Sequence, residues 1–204
     1  MTILLATDFD AAALGLWQGL LQATLPDERI VTDCMAVDAA EIDIAIVANP
    51  PAGALHGLPH LRLIQSLWAG VDKLLADASL PSAVPIARMV DPAMSATMAE
   101  TALWAVLSLH RGFYAYLARG AHVVDADLLA ALDSGHLQHA VLDVFNTEPL
   151  PADHRYWRHP RVTVLPHAAA QTDARSAAEI AAANVRRLRS GDALQNLVNR
   201  TRGY

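Results

Sequence analysis

Arg119-Gly120-Ala121-His122-Val123-Val124-Asp125 opens a stretch that runs through Leu142-Asp143-Val144-Phe145-Asn146-Thr147-Glu148-Pro149. It closes on Leu165-Pro166-His167-Ala168-Ala169-Ala170-Gln171-Thr172. Two short apolar runs, Ala140 to Phe145 and Val162 to Leu165, are set between turn-rich segments and read as strands. Arg119, Glu148 and His167 stand at the starts or ends of such runs. A guanidinium forks onto a carboxylate or carbonyl oxygen. A carboxylate beside an imidazole raises its pKa and keeps a proton on it near neutrality. Together these three residue types can bind an anionic carbonyl compound and pass it a proton.

Upstream the pattern is that of a parallel α/β sheet. Ile3 to Thr7 reads as a buried strand. Ala11 to Leu25 follows as a helix with Leu14, Trp17 and Leu21 on one face, broken at Pro26-Asp27. Arg29 to Cys34 reads as an edge strand, Ile42 to Ala48 as a central one, and Leu61 to Leu67 and Val84 to Met89 as two more. Strands alternating with helices and bounded by Gly/Pro turns imply a flavodoxin-like sheet. Gly53 and Gly57 belong to a turn, since no G-K-[ST] follows them.

Ser66-Leu67-Trp68-Ala69-Gly70-Val71-Asp72 is a strand end, a small-residue turn and a helix start. Its backbone N–H groups form an ordinary turn or an anion-holding nest. Thr97 and Glu100 have the spacing of a capping box and predict a helix opening there. Ala99, Leu103, Val106, His110, Phe113 and Leu117 then step along one face, as a long buried helix requires. His110 reads as a satisfied interfacial histidine. Asp125 is placed to cap a short helix with Leu128, Leu129 and Leu132 inward and Gly135 just past its end. Thr172 or Asp173 starts the last helix, with Ala178, Ala181, Val185 and Leu188 inward. Arg186, Arg187 and Arg189 complement its dipole, and Gly191 ends it.

A formal charge of −6, with fourteen arginines and one lysine scattered along 204 residues, argues against nucleic acid and against an anionic membrane surface. No apolar run reaches the ~20 residues of a membrane span, and the first residues lack the charge pattern of a signal peptide. The expectation is a cytoplasmic protein. Cys34 stands alone, which excludes an internal disulfide, and reads as a small buried hydrophobe. His122, His136, His139, His154 and His159 have no ligand spacing and read as surface residues rather than a metal site.

Ala118-Arg119-Gly120 onward, Leu142 to Pro151, and Pro166-His167 onward together resemble the D-isomer-specific 2-hydroxyacid dehydrogenases, in particular the glyoxylate/hydroxypyruvate reductase A branch. The resemblance implies that Arg119, Glu148 and His167 are catalytic. It implies that amides of the Trp68, Ala69, Gly70 and Val71 turn bind the substrate carboxylate. It makes Asp143 a candidate for holding the nicotinamide amide, beside the reading of a structural aspartate at a strand end. It implies NADPH or NADH as cofactor, a small 2-oxo acid as substrate and a homodimer. It also implies a discontinuous, flavodoxin-like substrate domain over 1–95 and 173–204, a linking helix over 96–118, and a Rossmann cofactor domain of which 119–172 is a truncated remnant.

The family's cofactor domain begins with G-x-G-x-x-G, followed by a ribose selector about 20 residues on. None of the ten glycines here falls two residues from another. Phe113 to Ala118 runs straight into Arg119, so a segment on the order of 100 residues is missing. Residues 113–117 are open to two readings, the last turn of the linking helix or a strand. Two functions follow: reduction of a 2-oxo acid, or a non-catalytic remnant serving as a binding or dimerisation module.

Overall fold

The computed structural model describes residues 2–110, 117–118, 123–165 and 172–202, with the side chains of 102, 104–110 and 117–118 not described. The chain forms two compact units, Met1–Asp91 with Thr172–Tyr204, and Pro92–Gln171.

The first unit is built on five parallel strands in the order β2-β1-β3-β4-β5, where β1 is Thr2–Thr7, β2 Arg29–Val31, β3 Ile42–Ala48, β4 Leu63–Ser66 and β5 Ile86–Ala87. This is the flavodoxin-like order. All seven residues of β3 are buried, as a central parallel strand covered on both faces must be. On one face Ile44, Ile46 and Ala48 pack with Trp17 and Leu21 of α1 (Ala11–Thr24) and with Ala177, Ala178, Ala181, Ala182 and Val185 of α5 (Ala174–Ser190). The alanines let α5 lie close on the sheet. On the other face Ala45 and Val47 meet Leu4, Ile64, Leu61 and Leu74, the last from the short α2 (Asp72–Leu75). The edge of β5 is covered by the C-terminal segment, through an antiparallel Ala87–Leu197 bridge and Val198 N–H donating to the Ile86 carbonyl at 2.8 Å.

Two expectations about this unit are corrected. Strand β2 stops at Val31, because Asp33 accepts a hydrogen bond from Met35 N–H and starts a tight turn over Cys34–Ala36. That turn puts Cys34 at the surface, exposed rather than buried. The basic end of α5 is not a simple complement to the dipole either. Arg189 donates from Nε and Nη2 to Glu28 at 2.6 and 2.8 Å and from Nη1 and Nη2 to Asp43, whose side chain is 5% exposed. Arg186 donates to the Thr24 carbonyl and Arg187 to that of Ala193. The hydrogen bonds that Arg189 donates to Glu28 and then to Asp43 push its pKa above its ordinary value.

In the second unit α3 (Pro92–His110) begins at Pro92, five residues before the expected capping box. Proline suits the first helical position, where its missing N–H is no loss. Thr97 therefore lies inside the helix, its hydroxyl donating to the Ala93 carbonyl. Ala99 and Leu103, expected to be buried, are exposed. The core of this unit among the described residues comes from α4 (Asp125–Asp133), β7 (Ala140–Leu142), β8 (Val162–Val164) and the loop between those strands, and gives neither residue anything to bury against. Val106, His110 and Phe113 carry side chains outside the description. Leu117–Ala118 forms β6, paired in parallel with β7 in a β6-β7-β8 sheet, so the strand reading holds at that end of 113–117.

Replacing Arg189 leaves the buried Asp43 carboxylate with only Arg62, at 4.0 Å, as a cationic partner. Arg189→Ala is expected to cost about 3 kcal/mol, read as a fall in the urea midpoint. The Asp173 carboxyl, capping α5, is held below its ordinary value by the Ser176 and then the Arg175 N–H groups. Its contribution is complete above the ordinary carboxylate range and is lost as pH falls through the lowered value. Urea midpoints measured between about pH 5 and pH 2 should decline less in Asp173→Asn than in the parent.

Candidate active site

At the carboxyl end of β4 the chain turns through Trp68-Ala69-Gly70-Val71 into α2. Ser66 Oγ holds this turn from both sides, accepting from Trp68 N–H and donating to the Trp68 carbonyl, each at 3.0 Å. Met89 N–H also donates to the Trp68 carbonyl, at 3.1 Å, and Arg88 Nη1 to the Ala69 carbonyl at 3.4 Å. The N–H groups of Ala69, Gly70 and Val71 have no partner among the described residues. Phe9, Trp17 and Trp68 form an aromatic cluster with centroids 6.0 to 6.4 Å apart, which fixes the indole at the start of the turn.

In the second unit a cavity of about 410 Å³ lies where β7 and β8 end, walled by Asp143, Phe145, Glu148, Trp157, Val164 and Leu165. Ligands in open parallel sheets bind at the carboxyl ends of the strands. Asp143 is buried, at 5% exposure. Glu148 lies three residues past Phe145, and its Oε1 accepts from the Phe145 N–H at 3.1 Å, closing the loop on itself. Arg119 and His167 lie outside the described residues.

The loop carrying Glu148 is tied down by residues that the sequence did not single out for this purpose. Asp125 was expected to cap α4, but it is the first helical residue and the cap position, Val124, makes no side-chain bond. The Asp125 carboxylate is instead engaged across the unit. Its Oδ1 accepts from Tyr156 Oη at 2.9 Å and Asn146 Nδ2 at 3.2 Å, and its Oδ2 lies 3.5 Å from His154 Nε2. Asn146 Nδ2 also donates to the Val123 carbonyl. Tyr156 is 2% exposed, and burial, then the Asp125 bond, push its hydroxyl pKa above the ordinary value. Partners 21 to 31 residues apart leave no periodic signal in a sequence.

Residues 74–169 match the family model described as "D-isomer specific 2-hydroxyacid dehydrogenase, NAD binding domain". Among solved structures, a D-isomer specific 2-hydroxyacid dehydrogenase from Xanthobacter autotrophicus Py2, in complex with NADPH and MES, is 25% identical. The match covers 100% of this chain and 99% of that one, with a TM-score of 0.86. A family protein from Klebsiella pneumoniae 342 is 25% identical over 98% of each chain, with a TM-score of 0.79. The match to the family's NAD-binding domain model spans a little under half of the chain, and the whole fold is similar to that of solved D-isomer-specific 2-hydroxyacid dehydrogenases. The fold is shared at 20% identity by an NADPH-dependent glyoxylate/hydroxypyruvate reductase from Sinorhizobium meliloti, in complex with NADP and sulfate, covering 100% and 99% of the two chains at a TM-score of 0.85.

The matched domain model implies a nicotinamide dinucleotide, and the residues present fit its two ends unequally. The cavity beside Asp143 has room and apolar walls for a nicotinamide ring. The diphosphate fares differently. A helix N-terminus after a glycine-rich turn normally receives it. The first turn of α4 carries Asp125 and Asp127, whose charges oppose an anion, and no G-x-G occurs in the chain. Among the described residues no group of three or more His, Cys, Asp or Glu could hold a metal ion, and no helix is long and apolar enough to cross a membrane.

Removing the Tyr156 hydroxyl leaves Asp125 short of one donor without opening a cavity. Tyr156→Phe should cost about 1 to 2 kcal/mol in urea unfolding. The Asp125→Asn variant combined with it should cost less than the sum of the two single changes.

Proposed function

We propose that the chain reduces a small 2-oxo acid, glyoxylate or hydroxypyruvate, to its 2-hydroxy acid with NADPH or NADH. The observation that carries this reading is the cavity at the carboxyl ends of β7 and β8, with Glu148 and Asp143 on its wall, inside a segment that matches the family's NAD-binding domain. In the Trp68, Ala69, Gly70 and Val71 turn, the N–H groups of Ala69, Gly70 and Val71 receive the substrate carboxylate while Trp68 N–H stays on Ser66 Oγ, and Arg119 binds the carboxylate and carbonyl oxygens. His167, held by Glu148, gives its proton to the carbonyl oxygen. A nicotinamide against the cavity wall supplies the hydride, and Asp143 holds its carboxamide. Residues 1–95 and 173–204 form the substrate domain, 96–118 the link and 119–172 what is left of the cofactor domain. The active form is a cytoplasmic homodimer.

A second reading has its own observation. With no glycine fingerprint and an acidic first turn on α4, the dinucleotide lacks its diphosphate anchor. Hydride transfer needs the ring held at near-attack distance. On that ground the chain is a non-catalytic remnant that serves as a binding or dimerisation module, and an outer strand of the small sheet, β6-β7-β8 among the described residues, is where a second copy would pair.

Titration with NADPH and with NADH, followed by nicotinamide fluorescence, separates the two. Micromolar binding with turnover of glyoxylate supports the enzyme and removes the remnant. A folded sample that binds neither nucleotide removes the enzyme. Where turnover is found, His167→Ala should abolish it while leaving nucleotide affinity within about threefold, and equal turnover in the variant would take His167 out of the mechanism.

A further inference from the structure

The carboxylate turn is held in shape by a neighbour that is not part of it. A trans peptide is planar, and its C=O and N–H point in opposite directions. The Trp68 carbonyl is tied back by Met89 N–H and Ser66 Oγ, so the Ala69 N–H in the same peptide faces away from them. The Ala69 carbonyl is tied back by Arg88 Nη1, so the Gly70 N–H faces away from Arg88. Residues 88 and 89, just past the end of β5, thus set the direction of two of the three unpaired N–H groups.

Arg88 is itself well supported. Its N–H donates to the Asn196 carbonyl at 3.0 Å, beside the Ala87–Leu197 bridge. The segment before that bridge is anchored by Asn184, buried at 1% exposure. Asn184 donates to Gln65 Oε1 at 2.7 Å and the Gln195 carbonyl at 3.0 Å, and accepts from Gln195 N–H. The Arg88 side chain is half-buried and makes no ion pair among the described residues. Of the five N–H donors of a guanidinium, one is used. Among the described residues, then, a full positive charge without an ion-pair partner stands beside amides that also lack partners. Asp72, on the same turn, is the opposing charge: a Cβ built on Gly70 would lie 3.8 Å from its Oδ2.

We propose that Arg88 is a positioning residue for the substrate carboxylate, orienting the 69–70 peptide toward the ligand and offsetting the negative charge of Asp72. The assignment rests on the reading of the Trp68–Val71 turn as the carboxylate site. It makes this part of the site complete within the first unit, and therefore able to bind a small 2-oxo monocarboxylate in the absence of any nucleotide.

Oxamate, a carboxylate with an unreactive carbonyl, is the probe, titrated calorimetrically without nucleotide and set against its neutral analogue oxamide. The intact chain should bind oxamate in preference to oxamide. Arg88→Ala should weaken oxamate about tenfold or more. It should leave the thermal midpoint within about 2 °C, because the backbone bond to Asn196 is kept. Arg88→Lys, which restores charge and a donor, should recover affinity to within about threefold. If the intact chain does not bind oxamate, the carboxylate reading of the turn fails and Arg88 falls with it. If oxamate binds and the alanine variant binds it equally, the turn stands and the role of Arg88 is refuted. Lost affinity with a large drop in midpoint and no recovery in the lysine variant would make Arg88 a structural residue only.

Discussion

One arginine closes the larger unit. That unit is assembled from two separated pieces of chain, residues 1–91 and 172–204. The second piece must return and dock, and α5 does so with an alanine face against β3 and β4. Alanines permit close approach but supply little apolar area each. Arg189 adds direction to that contact, forking onto Glu28 beyond α1 and onto Asp43 in the central strand. A buried carboxylate in the middle of a parallel sheet is costly unless paired. Asp43, with Arg62 at 4.0 Å as its other cation, therefore gains most of its pairing when α5 returns. The same return brings residues 195–198 to the β5 edge, where they support the segment that shapes the Trp68–Val71 turn.

Each unit, taken by itself, obeys one rule: polar groups gather where parallel strands end. In the first unit, carbonyls of the turn are drawn back into the fold and the corresponding amides are left outward. In the second, β7 and β8 end at a cavity whose wall includes Asp143 and Glu148. Glu148 sits on a loop rather than a strand. Its placement is governed by Asp125, Asn146 and Tyr156, which bind that loop to the start of α4. Asp125 holds the loop from a position that, in a nucleotide-binding helix, would be wanted free of negative charge.

That double demand on one helix start bears on how the cofactor is to be understood. The segment 74–169 carries the family's NAD-binding character. The apolar wall suited to a nicotinamide remains. The glycine turn that would let a backbone approach a diphosphate is missing from the chain. A proton donor and an anion site each need only a few residues at a strand end. A dinucleotide cradle needs a strand, a glycine turn and a helix in register.

The sequence by itself pointed to the flavodoxin-like sheet, to helices α1 and α5 and to the family resemblance, because these rest on local periodicity, on breaking and capping residues such as Pro26, Asp173 and Gly191, and on ordered motifs. It named Glu148, Asp143 and the Trp68–Val71 turn for the same reason. Only the tertiary structure decided that Cys34 is exposed and that α3 begins at Pro92. It alone showed that Asp125 ties a loop instead of capping a helix, and that Arg88 and Arg189 reach across to carbonyls and carboxylates distant in sequence. Those outcomes depend on which groups meet through space. Side chains such as arginine and aspartate carry the same local propensity whether solvated or paired, so nothing in the neighbouring residues announces the partner.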